Sequence, residues 1–321
     1  MQPLAGLLVV DLTRHLPGPF ASRELLRLGA RVVRLEAPDG DPLRDIAPQW
    51  DAALNAGKES VVCDLKRDPE LGRALCARAD VVIEGFRPGV AARLGVGPDD
   101  VPERTVYCSI TGFGADGPHV ARAGHDLNYL GWAGALADTA PGLPPVQVAD
   151  LGAGSLAAVT EILAALLDRE RTGRGGRLVV SMTHGAHRFV AHRLDGEPVP
   201  KLLTGGLACY RIYPTADGRW LTVGALEAKF FQRLCELLGV PHLASRQFAD
   251  DQEPVAAELG AAIARRPLAE WLELFDGEDV SAGPVATLEE GAAEFGSAPS
   301  TAHAPSLGEH TDAWREQLQL S

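Results

Sequence analysis

Short apolar runs recur along the first half of the chain, with amphipathic stretches between them. Leu7–Leu12, Arg31–Glu36, Ser60–Asp64, Val81–Glu84 and Val106–Ile110 are brief and mostly rich in β-branched residues, so each is predicted to be a strand. A helix is predicted after the turn His15–Pro19, running to about Leu28, and another from about Asp68 to Ala79. The clearest helical pattern covers Leu151–Leu167, where Leu156, Val159, Ile162, Leu163, Leu166 and Leu167 recur at helical spacing. Asp150 stands where its N-cap belongs. Arg177–Ser181 then reads as a further strand. Strands alternating with helices imply a mostly parallel sheet covered on both faces.

The pattern changes near Leu194. Pro198, Pro200, Gly205 and Gly206 suggest a linker, with β segments at Cys209–Tyr213 and Trp220–Gly224 after it. Helices follow over roughly 228–238, 254–265 and 268–275. The predicted fold class is therefore α/β: a large Rossmann-like domain over residues 1–195, and a linker with a smaller α+β domain over 196–297. The tail 298–321 either returns to the large domain or lies on its surface.

At 321 residues, 46% hydrophobic and 23% charged, the chain has ample material for two cores. Its formal net charge of −13 argues against a nucleic-acid surface or an anionic membrane as the main partner. A phosphorylated ligand remains open, because local basic clusters can outweigh a distant acidic excess. The start Met1-Gln2-Pro3-Leu4 has no leader pattern, and no run approaches eighteen apolar residues, so a cytoplasmic location is expected. Cys63, Cys76, Cys108, Cys209 and Cys235 are scattered and read as reduced thiols. His184, His187 and His192 lie close together, but no third ligand has metal-motif spacing, and no metal is expected.

The turn after the first strand carries only Gly18, so the dinucleotide fingerprint is absent where it would have to sit. Two other stretches draw attention: Gly124-His125-Asp126-Leu127-Asn128-Tyr129, and Asp150 followed by Leu151-Gly152-Ala153-Gly154. Taken singly, each has a plain explanation, since Asp is a favoured N-cap and a lone histidine is commonly structural. Together they place an imidazole and a carboxylate at two element starts. Such a pair can remove a proton from one face of a carbon and return it to the other, and helix-start N–H groups can stabilise the anion formed between.

These stretches, with Gly224-Ala225-Leu226-Glu227, resemble the catalytic segments of α-methylacyl-CoA racemases, within the family III CoA-transferase (CaiB/BaiF) superfamily. The resemblance implies that His125 and Asp150 are the two acid/base groups. It also implies that Glu227, from the neighbouring subunit, hydrogen-bonds the histidine. Transferases of the superfamily use the aspartate as a nucleophile and generally lack that histidine. CoA contacts are implied at Arg34, along Cys63-Asp64-Leu65-Lys66, at Gly85-Phe86-Arg87 and at Arg93, each basic residue otherwise reading as a solvated charge. Gly124, Asp126 and Tyr129 are expected near the thioester. The implied assembly is a homodimer of interlocked rings. The implied activity is C2 epimerisation of a 2-methylacyl-CoA, within fatty acid metabolism and without a cofactor. A CoA-transferase acting through Asp150 and an inactive acyl-CoA-binding homologue are the alternatives. Three departures stand out: a trimmed stretch between Arg193 and Leu203, Met182-Thr183-His184-Gly185 where an aspartate is common, and Ala37 where several racemases carry arginine.

Overall fold

The computed structural model describes residues 1–196, 201–296 and 302–320. Pro198, Pro200 and Ala298, which the sequence marks as linker and tail start, lie outside the described residues. The chain divides into two compact units, Met1–Ala191 with Pro299–Ser321, and His192–Ala298.

The larger unit is built on six strands: β1 (Leu8–Asp11), β2 (Arg31–Glu36), β3 (Glu59–Val62), β4 (Val81–Glu84), β5 (Val106–Thr111) and β6 (Arg177–Ser181). They pair in the order β3-β2-β1-β4-β5-β6, every pairing parallel. Successive strand residues point to opposite faces, and both faces are buried. Val9, Val32, Val81 and Ile83 belong to one core cluster; Val10, Val33, Val61 and Val82 belong to another. On the first face pack the helices Pro17–Arg27 and Ala157–Thr172, through Ala21, Leu25, Ile162 and Leu166. On the second pack Glu70–Arg78 and Thr311–Leu318, through Leu71, Leu75, Trp314 and Leu318. Burying one such large side chain is worth about 1.5–3 kcal/mol. The strand order reverses at β1, so the crevice beyond the carboxyl ends of β1 and β4 is where a ligand site belongs.

One helix departs from the sequence reading. The element expected at Leu151 starts at Ala149, and its first eight residues, Ala149–Leu156, form a π-helix that runs into the α-helix Ala157–Thr172. Asp150 is therefore not an N-cap. It lies in the first turn, and its own N–H donates to Oδ1 of Asp126 at 2.9 Å. Within the widened turns Ser155 Oγ donates to the carbonyl of Asp150, five residues back, at 2.9 Å, and to that of Pro17 at 2.6 Å. Asp126 thus satisfies an N–H that a helix start leaves open, while Ser155 bonds a carbonyl five residues back within the widened turns and ties the segment to Pro17.

The smaller unit holds an antiparallel sheet of β7 (Tyr210–Pro214), β8 (Trp220–Gly224) and β9 (Ala282–Pro284), in that order. The helices Ala228–Leu237, Glu253–Ile263 and Leu268–Phe275 share a core with it that includes Phe231, Leu234, Leu259 and Trp271.

Candidate active site

The carboxyl ends of β1 to β5 open onto a cavity of about 980 Å³ in the larger unit. His125 and Asp150 both line it. His125 occupies the N-cap position of the helix Asp126–Trp132, where Oδ1 of Asn128 accepts its N–H at 3.1 Å. The residue is exposed on the cavity side of that turn. Gly124 precedes it of necessity: a Cβ there would lie 2.7 Å from Cε1 of Tyr129. Tyr129 also fills the space beside Gly112, stands edge-on to Phe113 with centroids 5.4 Å apart, and donates its hydroxyl to the Gly124 carbonyl. Burial, with the charges of Asp150 and Asp126, pushes that hydroxyl up to about 12, so it remains a donor at neutral pH.

Burial pushes the Asp150 carboxyl up to about 7, and the neighbouring charge of Asp126 adds to the effect. A carboxylate deprived of water and set beside a like charge holds its proton more tightly. Asp126 itself does not line the cavity; it braces Asp150 through the hydrogen bond to its N–H.

The remaining residues singled out in the sequence divide clearly. Cys63, Asp64, Leu65, Lys66, Gly85, Phe86 and Arg87 line the cavity, as does Ala37. Arg34 does not. It is fully buried, with Nη2 2.8 Å from Asp51 and 3.0 Å from Asp41 and Nε 3.4 Å from Glu36, so its charge is already neutralised inside the protein. The expectation that it meets a ligand phosphate is corrected accordingly. Arg93 is exposed at the end of the helix Val90–Arg93 and is likewise absent from the lining. Glu227 is exposed in the smaller unit, at the N-cap of Ala228–Leu237, and its side chain makes no capping hydrogen bond. His184 and His187 are engaged separately, with Ser181 Oγ at 2.7 Å and the Ala133 carbonyl at 3.0 Å.

The cavity also gathers Arg14, His15, Arg67 and Arg122, none of which the sequence marks as a site residue. Arg14 and His15 lie in the turn just after the first strand, the position from which α/β folds commonly contact ligands. Arg67 simply adjoins Lys66. Arg122 carries no local signal: it is held by His119 Nδ1, 2.9 Å from its Nε, and lies over Trp132 at 5.1 Å. Arg14, Lys66, Arg67, Arg87 and Arg122 bring basic groups that can meet an anionic ligand to a lining that also holds Glu36, Asp39, Asp64 and Asp150.

Fold and cavity together define a doubly wound α/β protein whose ligand site lies at the strand ends. Residues 4–311 match CoA-transferase family III, and the chain belongs to that family. It is 35% identical to human alpha-methylacyl-CoA racemase over 308 residues, 89% of this chain and 78% of the relative. It is also 32% identical to mouse succinyl-CoA:glutarate CoA-transferase, over 90% of this chain and 73% of that one. Among solved structures it is similar to Rv3272 from Mycobacterium tuberculosis, with TM-score 0.82, 30% identity, and 98% and 99% of the two chains covered. A CaiB/BaiF family protein from Brucella suis matches with TM-score 0.83 and 28% identity, with the same coverage. The protein is an enzyme of this family, whose relatives include both racemases and transferases.

Proposed function

We propose that the enzyme inverts C2 of a 2-methylacyl-CoA thioester by exchanging protons between His125 and Asp150. The observation that carries this reading is a carboxyl titrating at about 7 in the same cavity as an exposed imidazole. A two-base exchange at neutral pH needs one group protonated and one free, and each must serve in both roles. One group takes the C2 proton, and the C–H electron pair forms the C1–C2 double bond. The carbonyl pair moves onto oxygen, giving an enolate. Collapse of the enolate takes a proton from the other group on the opposite face. Lys66, Arg87, Arg14 and Arg67 supply positive charge for the phosphates of CoA. Glu227 of the partner subunit, in a homodimer, would orient His125.

The transferase reading makes Asp150 a nucleophile, a role that needs the ionised carboxylate. The burial that raises Asp150 works against it. Incubating the enzyme with a (2R)-2-methylacyl-CoA in D₂O, with and without an acceptor acid, separates the readings. Racemisation with deuterium at C2 is the expected result. His125→Ala should lower that rate by roughly 10²–10⁴-fold while CoA binding persists. Acceptor-dependent CoA transfer through a hydroxylamine-sensitive adduct on Asp150 would replace the proposal with the transferase. Binding without either reaction would leave an inactive homologue.

A further inference from the structure

The loop leaving β1 holds a residue whose backbone is strained. His15 has φ 66°, a left-handed conformation in which a side chain is disfavoured. The conformation is held from both directions. The N–H of His15 donates to Oδ2 of Asp41 at 2.8 Å. Asp41 is buried, fixed by Arg34 Nη2 at 3.0 Å, and accepts the N–H of Leu43 at 2.9 Å. On the other side the Pro17 carbonyl accepts Ser155 Oγ, and Gly18 lies so close to Thr13 that a Cβ would overlap it.

What this anchoring achieves is the placement of one ring. The His15 imidazole lines the cavity edge-on to His125, with ring centroids 6.5 Å apart and planes at 78°. Its side chain is 54% exposed, and Asp41 Oδ1, 4.0 Å from its Nδ1, is beyond hydrogen-bonding distance. Among the described residues neither ring nitrogen makes a hydrogen bond. Backbone strain persists where the surrounding structure over-determines it, and such places cluster at ligand sites. A ring held this way beside His125, with both nitrogens free, is equipped to contact the substrate.

We infer that His15 touches the reacting thioester and donates a ring N–H to its oxygen as that oxygen gains negative charge. The inference rests on the racemase reading. His15 neither takes nor gives a proton in the step: its N–H bond stays intact while the C2 proton moves to His125 or Asp150. The hydrogen bond strengthens as charge moves onto the oxygen and relaxes when C2 is reprotonated, so it favours the enolate over the ground state.

Two variants test this. His15→Gly removes the ring and suits the backbone, since glycine adopts positive φ freely. His15→Asn tolerates the same conformation and keeps an N–H donor. The measurements are C2 deuterium exchange of a (2R)-2-methylacyl-CoA, the CoA dissociation constant and the melting temperature. His15→Gly should melt at or above the wild-type temperature, bind CoA within about threefold, and lose about 10²-fold in kcat, as expected for one lost oxyanion donor. His15→Asn should recover part of that loss. A His15→Gly enzyme with wild-type kcat, or one impaired only in KM or CoA binding, would overturn the role of His15 alone. A wild-type enzyme that exchanges no C2 proton would overturn the racemase reading, and this inference with it.

Discussion

Partial burial, with the charge of Asp126 alongside, raises the Asp150 carboxyl to about 7, so that both its protonated and ionised forms are present near neutral pH. That has a thermodynamic consequence. An unfolded aspartate titrates near about 3.9, whereas Asp150 in the folded chain titrates at about 7. Between those values the folded state binds more protons than the unfolded state, so stability falls as pH rises. Above the folded value the full cost of the buried charge is present; below the unfolded value it is gone. Asp150→Asn, which carries no charge, should therefore melt higher than wild type at pH 8, by about 2–4 °C per kcal/mol relieved. The difference should close by about pH 4, below which the linkage vanishes. Thermal melts at both values check this, and an equal shift at both would contradict it. The variant should also lose racemisation, because an amide cannot exchange the proton. His125 and Asp150 were legible in the sequence because their flanking glycines and polar residues form a recognisable pattern. The raised carboxyl was not legible, because it depends on which side chains the fold brings around it. Arg34 misled for the same reason: a basic residue in an apolar strand looks the same whether it meets a ligand or three buried carboxylates.

Among the elements, the π-helical turns Ala149–Leu156 rest on the helix Met182–Val190 through very small residues. A Cβ on Gly185 would lie 2.8 Å from the Cβ of Ala153 and 3.0 Å from its carbonyl oxygen, with the rigid backbone of the facing helix in the way. Gly185→Ala should force the two apart and cost about 1–3 kcal/mol, read by urea denaturation. Because Asp150 rides on the displaced segment while Lys66 and Arg87 do not, kcat should fall more than CoA affinity. Equal loss of both, or unchanged stability, would show that the contact yields without moving Asp150. The six parallel strands were legible because each is a compact apolar run between turn residues. The π-helix was not: its apolar positions suit an ordinary helix, and its register depends on Asp126 and on the hydroxyl of Ser155 bonding to carbonyls around it. The short helix Leu43–Ile46 and the strand Ala282–Pro284 are too brief for periodicity to mark.

In the larger unit, alternating strands and helices announce a doubly wound sheet, and the order β3-β2-β1-β4-β5-β6 follows the rule that the strand order of such sheets reverses at the ligand crevice. Composition could not reveal how charge is distributed. A chain of net charge −13 gathers five arginine and lysine side chains around one cavity.

That separation of charge bears on how quickly a polyanion such as CoA is captured. Far from the surface the ligand meets the field of the net charge and is repelled; close to the rim it meets the basic groups and is drawn in. Added salt shortens the screening length to about 10 Å at 0.1 M and about 3 Å at 1 M. The first increments weaken the long-range repulsion, and later ones weaken the short-range attraction. The association rate constant for CoA should therefore rise with ionic strength, pass through a maximum and then fall. Stopped-flow measurements from low to high salt would reveal the turning point, and a monotonic decline would mean that the rim alone governs the encounter. Replacing Lys66 and Arg67 with alanine should remove the falling limb before the rising one, so a molecule that is acidic as a whole would admit its anionic ligand fastest at intermediate salt.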